Sequence, residues 1–126
     1  MTKEVMTVHP QISVSQLLDV MTKHHHMGYP VVNKEGELTG IVTFEDIMKV
    51  PKDRRRKVSV GQIAKKKLVT VYPDNSVLEA FEKMSEYEIG RLLVVDPKNP
   101  KKLCGVLTRT DIMHALGDSF ELRTSA

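Results

Sequence analysis

Gly40-Ile41-Val42-Thr43-Phe44-Glu45-Asp46-Ile47-Met48 returns as Gly105-Val106-Leu107-Thr108-Arg109-Thr110-Asp111-Ile112-Met113, shifted by 65 positions from 40 to 105. Both stretches read glycine, two apolar residues, threonine, two variable positions, aspartate, then Ile-Met. Working outward, Val31-Val32 recurs as Val94-Val95, Met21 as Met84, Val14 as Val77 and Pro10 as Pro73, all shifted by 63 (31 to 94). The segment from Met1 to Val8 lines up with Ala64 to Val71 at that same offset. Two extra residues in the second copy account for the change of register. The chain is a tandem duplication.

Each copy reads as strand, helix, strand, strand, helix. Ser13 with Gln16, and Ser76 with Glu79, have capping-box spacing at a helix start. Val14, Leu17, Leu18 and Met21 then share one helical face, as do Val77, Phe81 and Met84. Pro30-Val31-Val32 and Leu92-Leu93-Val94-Val95 are short apolar runs. They end in turn residues, Asn33-Lys34-Glu35-Gly36 and Asp96-Pro97-Lys98-Asn99, so a hairpin into the next strand is expected. The fold class expected is α+β: two βαββα repeats packed pseudo-symmetrically through small sheets, since neither sheet alone can cover its apolar face. The boundaries read from sequence are 1–50 for the first repeat, 51–59 for a basic linker, 60–116 for the second repeat and 117–126 for a C-terminal tail. Because Met1 aligns with Ala64, the first copy lacks the equivalent of Val60 to Ile63. An N-terminally truncated first repeat, part of a longer protein, is expected.

Composition narrows the function classes. The 126 residues are 40% hydrophobic and 28% charged, an ordinary globular balance for one small domain or two half-sized ones. No apolar run reaches the roughly 18 residues of a membrane helix. Cys104 stands alone, which points to a reducing compartment and a cytoplasmic location. The net charge is +3, with Arg54-Arg55-Arg56-Lys57 and Lys65-Lys66-Lys67 carrying much of the excess. These clusters read as solvated loops, and the absence of tryptophan with 5% aromatics argues against a base-stacking nucleic-acid surface. His24-His25-His26 reads as a solvated helix end, because consecutive histidines do not converge on one metal. Cys104 inside a strand reads as a small apolar residue. Tyr29, Met27 and the other methionines read as core. No acid–base pair, metal set or activated nucleophile stands out, so the chain is read as not being an enzyme.

The Thr-x-x-Asp pairs admit two readings. Thr43 and Thr108 can cap a helix with Asp46 and Asp111 completing the box. Alternatively, free amides at the helix start face a phosphate while hydroxyl and carboxylate hold a ribose diol. Repetition does not separate the two.

The two-copy strand–turn–helix setting, with Tyr29-Pro30-Val31-Val32 and the repeated Gly-x-x-Thr-x-x-Asp motif, resembles the CBS (cystathionine-β-synthase) domain pair, or Bateman module. The resemblance spans Met1 to about Leu116. It is nearest the cytosolic C-terminal pair of prokaryotic ClC-type chloride channels, on His26 to Val32, Thr43 to Ile47, Val50-Pro51, Ile89 to Leu92 and Asp96-Pro97. Membrane-embedded metalloproteases with CBS tails are similar too. The resemblance implies two clefts between the repeats for adenosine compounds: AMP, ADP, ATP or S-adenosylmethionine. It places Met1, Thr2, His26, Arg91, Val106, Thr108, Thr110 and Asp111 at a primary cleft. A secondary cleft would use Ile41, Thr43, Asp46, Ile63, Ala64, Lys65 and Ile89. Arg91 has Gly28 as its counterpart and Thr110 has Glu45, so the primary cleft is expected to bind phosphate better. The secondary one is expected to be weak, empty or selective for uncharged adenosine, since Glu45 repels phosphate.

The functional expectation is a regulatory adenine-nucleotide module, a homodimer, linked in the full protein to a transmembrane domain such as a chloride channel. The alternatives are a structural dimerisation module without ligand, or a nucleic-acid-binding module.

Overall fold

A computed structural model of the chain describes residues 5–115, and these divide into two compact units, Met6–Leu68 and the part from Val69 onward together with Val5. Among the described residues no helix is long and apolar enough to cross a membrane.

In the first unit, helix α1 (Val14–His24) starts at a full capping box. Ser13 Oγ accepts from the Gln16 amide at 3.0 Å, and the Gln16 side chain accepts from the Ser13 amide at 2.8 Å. Val14, Leu17 and Met21 bury the face that their helical spacing predicts. His25 ends the helix in the left-handed conformation, φ 59°, with its amide on the Met21 carbonyl at 2.8 Å. All three consecutive histidines are exposed. Strands β1 (Gly28–Val32) and β2 (Leu38–Thr43) then form an antiparallel hairpin. Helix α2 (Phe44–Met48) follows, five residues long. It stops early because Pro51 disfavours helical backbone at Val50 and supplies no amide.

The expected first strand of this copy is reduced to a single bridge, Val8 beside Val31, with Pro10 close behind to end any ladder. The basic linker is also more structured than an exposed crossover. Lys52–Arg54 form a short 3₁₀ turn, and the carbonyls of Arg55 and Val58 accept from the Ser15 and Val14 amides, both at 2.9 Å. The linker thereby satisfies two donors that the start of α1 would otherwise leave open. Helix α3 (Val60–Ile63) packs in the same unit, so the core there joins Val14, Leu17, Tyr29, Val31, Val42, Ile47 and Val60. The boundary at 59/60 is one of sequence repetition, whereas packing changes over at Leu68/Val69.

In the second unit, strand β3 (Thr70–Val71) runs parallel to β4 (Arg91–Asp96), which pairs antiparallel with β5 (Asn99–Thr108). Helix α4 (Val77–Tyr87) lies between β3 and β4 in sequence, and residues 109–115 form the described part of a last helix, α5. Leu92 and Val94 face Val71, Ala80, Met84 and Ile112 in a separate core, while Arg91, Leu93 and Val95 alternate onto the other face of β4. Ser76 caps α4 by accepting from the Glu79 amide at 3.1 Å. The expected reciprocal bond is replaced, because Glu79 instead accepts from the Asn75 side chain at 2.6 Å. Glu88 ends α4 at φ 53°, the counterpart of His25 63 positions on.

The methionines divide. Met21 and Met84 are core, but Met6, Met27, Met48 and Met113 are 42–58% exposed, so the expectation of core positions fails for these four. Tyr29 is buried as expected, edge-on to His26 with ring centroids 5.7 Å apart. Cys104 is free and half-buried against the second core. Residues 117–126 lie outside the described residues.

Candidate functional site

The hairpin register carries the duplication into three dimensions. Gly28 sits opposite Thr43 in the first unit, and Arg91 sits opposite Thr108 in the second. The same relation appears at the helix starts: the Phe44 amide bonds the Met27 carbonyl at 2.9 Å, and the Arg109 amide bonds the Gly90 carbonyl at 3.0 Å. Arg91 and Gly28 are therefore structural counterparts, as their sequence alignment implies.

Both Thr-x-x-Asp pairs form closed capping boxes. Asp46 Oδ2 accepts from the Thr43 amide at 2.9 Å and from its hydroxyl at 3.1 Å, while the Asp46 amide reaches back to Thr43 Oγ1 at 3.4 Å. Asp111 Oδ2 accepts from the Thr108 amide at 2.9 Å, and its own amide donates to Thr108 Oγ1 at 3.2 Å. The capping reading is thus realised in both copies. It consumes one carboxylate oxygen in each and leaves the other, Oδ1, without a hydrogen bond from the described residues.

The two carboxylates differ in setting. Asp46 is 5% exposed, with Lys65 Nζ 3.8 Å from its Oδ1. Asp111 is half-buried. Burial opposes its ionisation, but the bonds from the Thr108 backbone and side chain, with the nearby His114, outweigh that and hold its pKa below the usual carboxylate value.

Arg91 is half-buried, and burial lowers its pKa. An ion pair with Glu86 or Glu88, the ordinary structural role for such a residue, is absent among the described residues. A cation left partly desolvated and unpaired is costly to the fold, so it is a candidate for a ligand anion.

The structure brings together Ile41, Thr43, Asp46, Ile63, Ala64 and Lys65 in the first unit. An antiparallel bridge joins Ile41 and Lys65, with amide–carbonyl distances of 3.0 and 2.9 Å. Ile63 and Ala64 pack partly buried against the first core. Arg91, Val106, Thr108, Thr110 and Asp111 share the second unit, with Thr110 exposed. Of the remaining expected site residues, His26 lies exposed in the first unit, Ile89 half-buried in the second, and Met1 and Thr2 outside the described residues.

Two features escaped the sequence. A cavity of about 230 Å³ opens beside Asp111, walled by Val71, Pro73, Val77, Val94, Leu107 and Ile112. These residues come from stretches well separated along the chain, so only folding assembles them into one cavity. The ion pair between Lys65 and Asp46 is the second: the resemblance put both residues at one cleft, but a lysine 19 positions from an aspartate carries no local signal of pairing with it. Among the described residues no group of three histidine, cysteine, aspartate or glutamate side chains is placed to hold a metal.

Comparison with known proteins gives this geometry its setting. The CBS domain family matches residues 1–53 and 60–118. The chain is 28% identical over 118 residues to an uncharacterized protein, MJ1232, of Methanocaldococcus jannaschii, covering 94% of this chain but 38% of that protein. Among solved structures it is similar to the CBS domain pair of protein MJ0100 in complex with 5′-methylthioadenosine and S-adenosyl-L-methionine. There the TM-score is 0.79 with 29% identity, over 94% of this chain and 93% of that one. The cytosolic domain of the Mg²⁺ channel MgtE, solved with ATP, shares the fold with a TM-score of 0.77 at 24% identity, over 91% of this chain and 46% of that one. The chain thus spans less than half the length of the curated relative named here. Two family matches, together spanning nearly the whole chain, show that it belongs to the CBS domain family as a tandem CBS pair.

Proposed function

We propose that this CBS pair is a regulatory module that binds an adenosine compound (AMP, ADP, ATP or S-adenosylmethionine) and catalyses no reaction of its own. The observation that carries the reading is Arg91. Arg91, half-buried and without an ion pair among the described residues, stands opposite Thr108 in the β4–β5 register, and the Thr108 amide holds Asp111 Oδ2 while no described residue donates to Oδ1. A cation for phosphate and a pure acceptor for a ribose diol are the complementary groups a nucleotide requires. The adenosine ligands of the MJ0100 pair support the same chemistry. Ligand would act on a linked domain in the full protein by favouring one arrangement of the pair, limited by its differential affinity for the two states. The resemblance to chloride-channel pairs makes a cytosolic module of a membrane transport protein the context we favour.

Isothermal titration calorimetry with AMP, ADP, ATP and S-adenosylmethionine tests this. Saturable binding is expected, weakened about tenfold or more by Arg91→Ala without loss of the folded state. No heat with any of the four, and an unchanged melting temperature, would leave the reading without support.

A structural dimerisation role is the second reading, favoured by one feature. Helix α4 exposes Val77, Leu78 and Phe81 at 39–57%, an apolar surface next to the Asp111 cavity. If a second copy covers it, Leu78→Glu will shift the sedimentation coefficient from dimer to monomer. Nucleotide binding and dimerisation are compatible, so the two experiments answer separate questions.

A further inference from the structure

Lys65 occupies a position that no other cation in either copy occupies by sequence. Its counterpart under the 63-residue offset is the uncharged Thr2, just as the counterpart of Arg91 is Gly28. Lys65 stands beside Asp46, whereas Arg91 is placed opposite Thr108 in the β4–β5 register, so the cation of each copy comes from a different element. In the first unit the cation's backbone is fixed: the two hydrogen bonds to Ile41 clamp residue 65 against the edge of β2. Gly40 makes that approach feasible, since a Cβ there would meet the Lys65 carbonyl oxygen at 2.9 Å. The side chain itself is 56% exposed on a flexible four-carbon stem, with Nζ 3.8 Å from Asp46 Oδ1.

The atoms of Asp46 are already divided. Oδ2 is taken by the Thr43 amide and hydroxyl, so any ligand diol must use Oδ1, the oxygen that faces Lys65. A neutral nucleoside binding there separates the ammonium from a carboxylate that is only 5% exposed, and offers no charge in exchange. A phosphorylated ligand lets the ammonium swing to a new anion while the diol takes Oδ1. The same ammonium offsets the repulsion between that phosphate and the exposed Glu45 beside the pair.

Resting on the reading of the chain as an adenosine-binding pair, we propose that Lys65 sets the ligand class of the Asp46 site, making it select anionic adenosine nucleotides over uncharged adenosine compounds. This reverses the preference that Gly28 and Glu45 suggest by themselves.

The test is calorimetry on the full chain carrying Asp111→Asn, which silences the other site while leaving an acceptor for the Thr108 amide. AMP and 5′-methylthioadenosine are the probes. AMP is expected to bind more tightly; adding Lys65→Met should weaken AMP about tenfold and leave the thioadenosine unchanged or a few-fold tighter, while Lys65→Arg keeps the preference. Equal effects of Lys65→Met on both probes, or no effect on either, overturn the proposal. So does an Asp111→Asn chain that binds neither probe while the unaltered chain binds one, an outcome that spares the general nucleotide reading. An unaltered chain that binds neither probe overturns both. A melting temperature for Lys65→Met near that of the parent shows that the exposed substitution has not perturbed the fold.

Discussion

Gly40 shows how a single missing Cβ positions a site. The Lys65 carbonyl lies 2.9 Å and the Ala64 side chain 3.3 Å from where that carbon would stand, and the nearer atom is backbone that is itself hydrogen-bonded to Ile41. Gly40→Ala is therefore expected to destabilise the first unit by about 1–3 kcal/mol, measured by urea denaturation, through overpacking rather than backbone strain. Asp111 is the second decisive residue. Its folded-state pKa is depressed below the ordinary 3.8, so its ionised form stabilises the fold above that value. The contribution is lost as pH falls through the folded pKa. The stability difference between the parent and Asp111→Asn should thus be present at pH 6 and vanish in acid below the usual carboxylate range, seen by thermal melts across pH. A difference that persists unchanged into acid would mean that the charge on Asp111 contributes nothing to the fold.

At the scale of elements, capping and burial act on each helix separately. Ser13→Ala removes the acceptor for the Gln16 amide at the start of α1, and should cost about 1 kcal/mol in chemical denaturation. Tyr29 tests burial within β1. Its side chain is 1% exposed, its hydroxyl has no well-formed hydrogen bond among the described residues, and burial raises its pKa above 10.0 against a weaker opposing contact with the His26 backbone. Tyr29→Phe removes an unsatisfied polar atom without opening a cavity, so stability should stay level or rise by about 1 kcal/mol. A loss of similar size would place a hydrogen bond on that hydroxyl. The elements themselves were largely legible in the residues: spacing of Val14, Leu17 and Met21 marks α1, and Asn33 to Gly36 marks the turn between β1 and β2. Less legible were the first strand around Val8 and the Glu79 side of the second cap. A single-bridge strand has almost no periodicity, and Asn75 competes for Glu79 through a contact that spacing alone does not rank.

For the whole molecule, the duplication yields two units with separate cores and matching registers, yet unequal chemistry. If the nucleotide reading holds, ligand binds the folded state and not the unfolded chain. Free ligand at 100 times Kd then stabilises by about 2.7 kcal/mol, which for a chain of this size raises the melting temperature by roughly 8–12 °C. Differential scanning fluorimetry with AMP checks this, and the shift should shrink in Arg91→Ala. A shift of the same size in that variant would move the phosphate contact to another residue.

The tandem repeat, the family resemblance, the Thr43/Asp46 and Thr108/Asp111 pairs and the Arg91/Gly28 asymmetry all follow from sequence alone, because each rests on residue type at a fixed spacing. Only the tertiary structure decided that both pairs close as capping boxes, that Arg91 is half-buried with no ion pair among the described residues, and that Lys65 pairs with Asp46. Those facts depend on which segments approach through space. Residue 65 reaches Asp46 by pairing its backbone with Ile41 across the edge of β2, and hydrogen bonding between distant strands leaves no periodic trace in the chain.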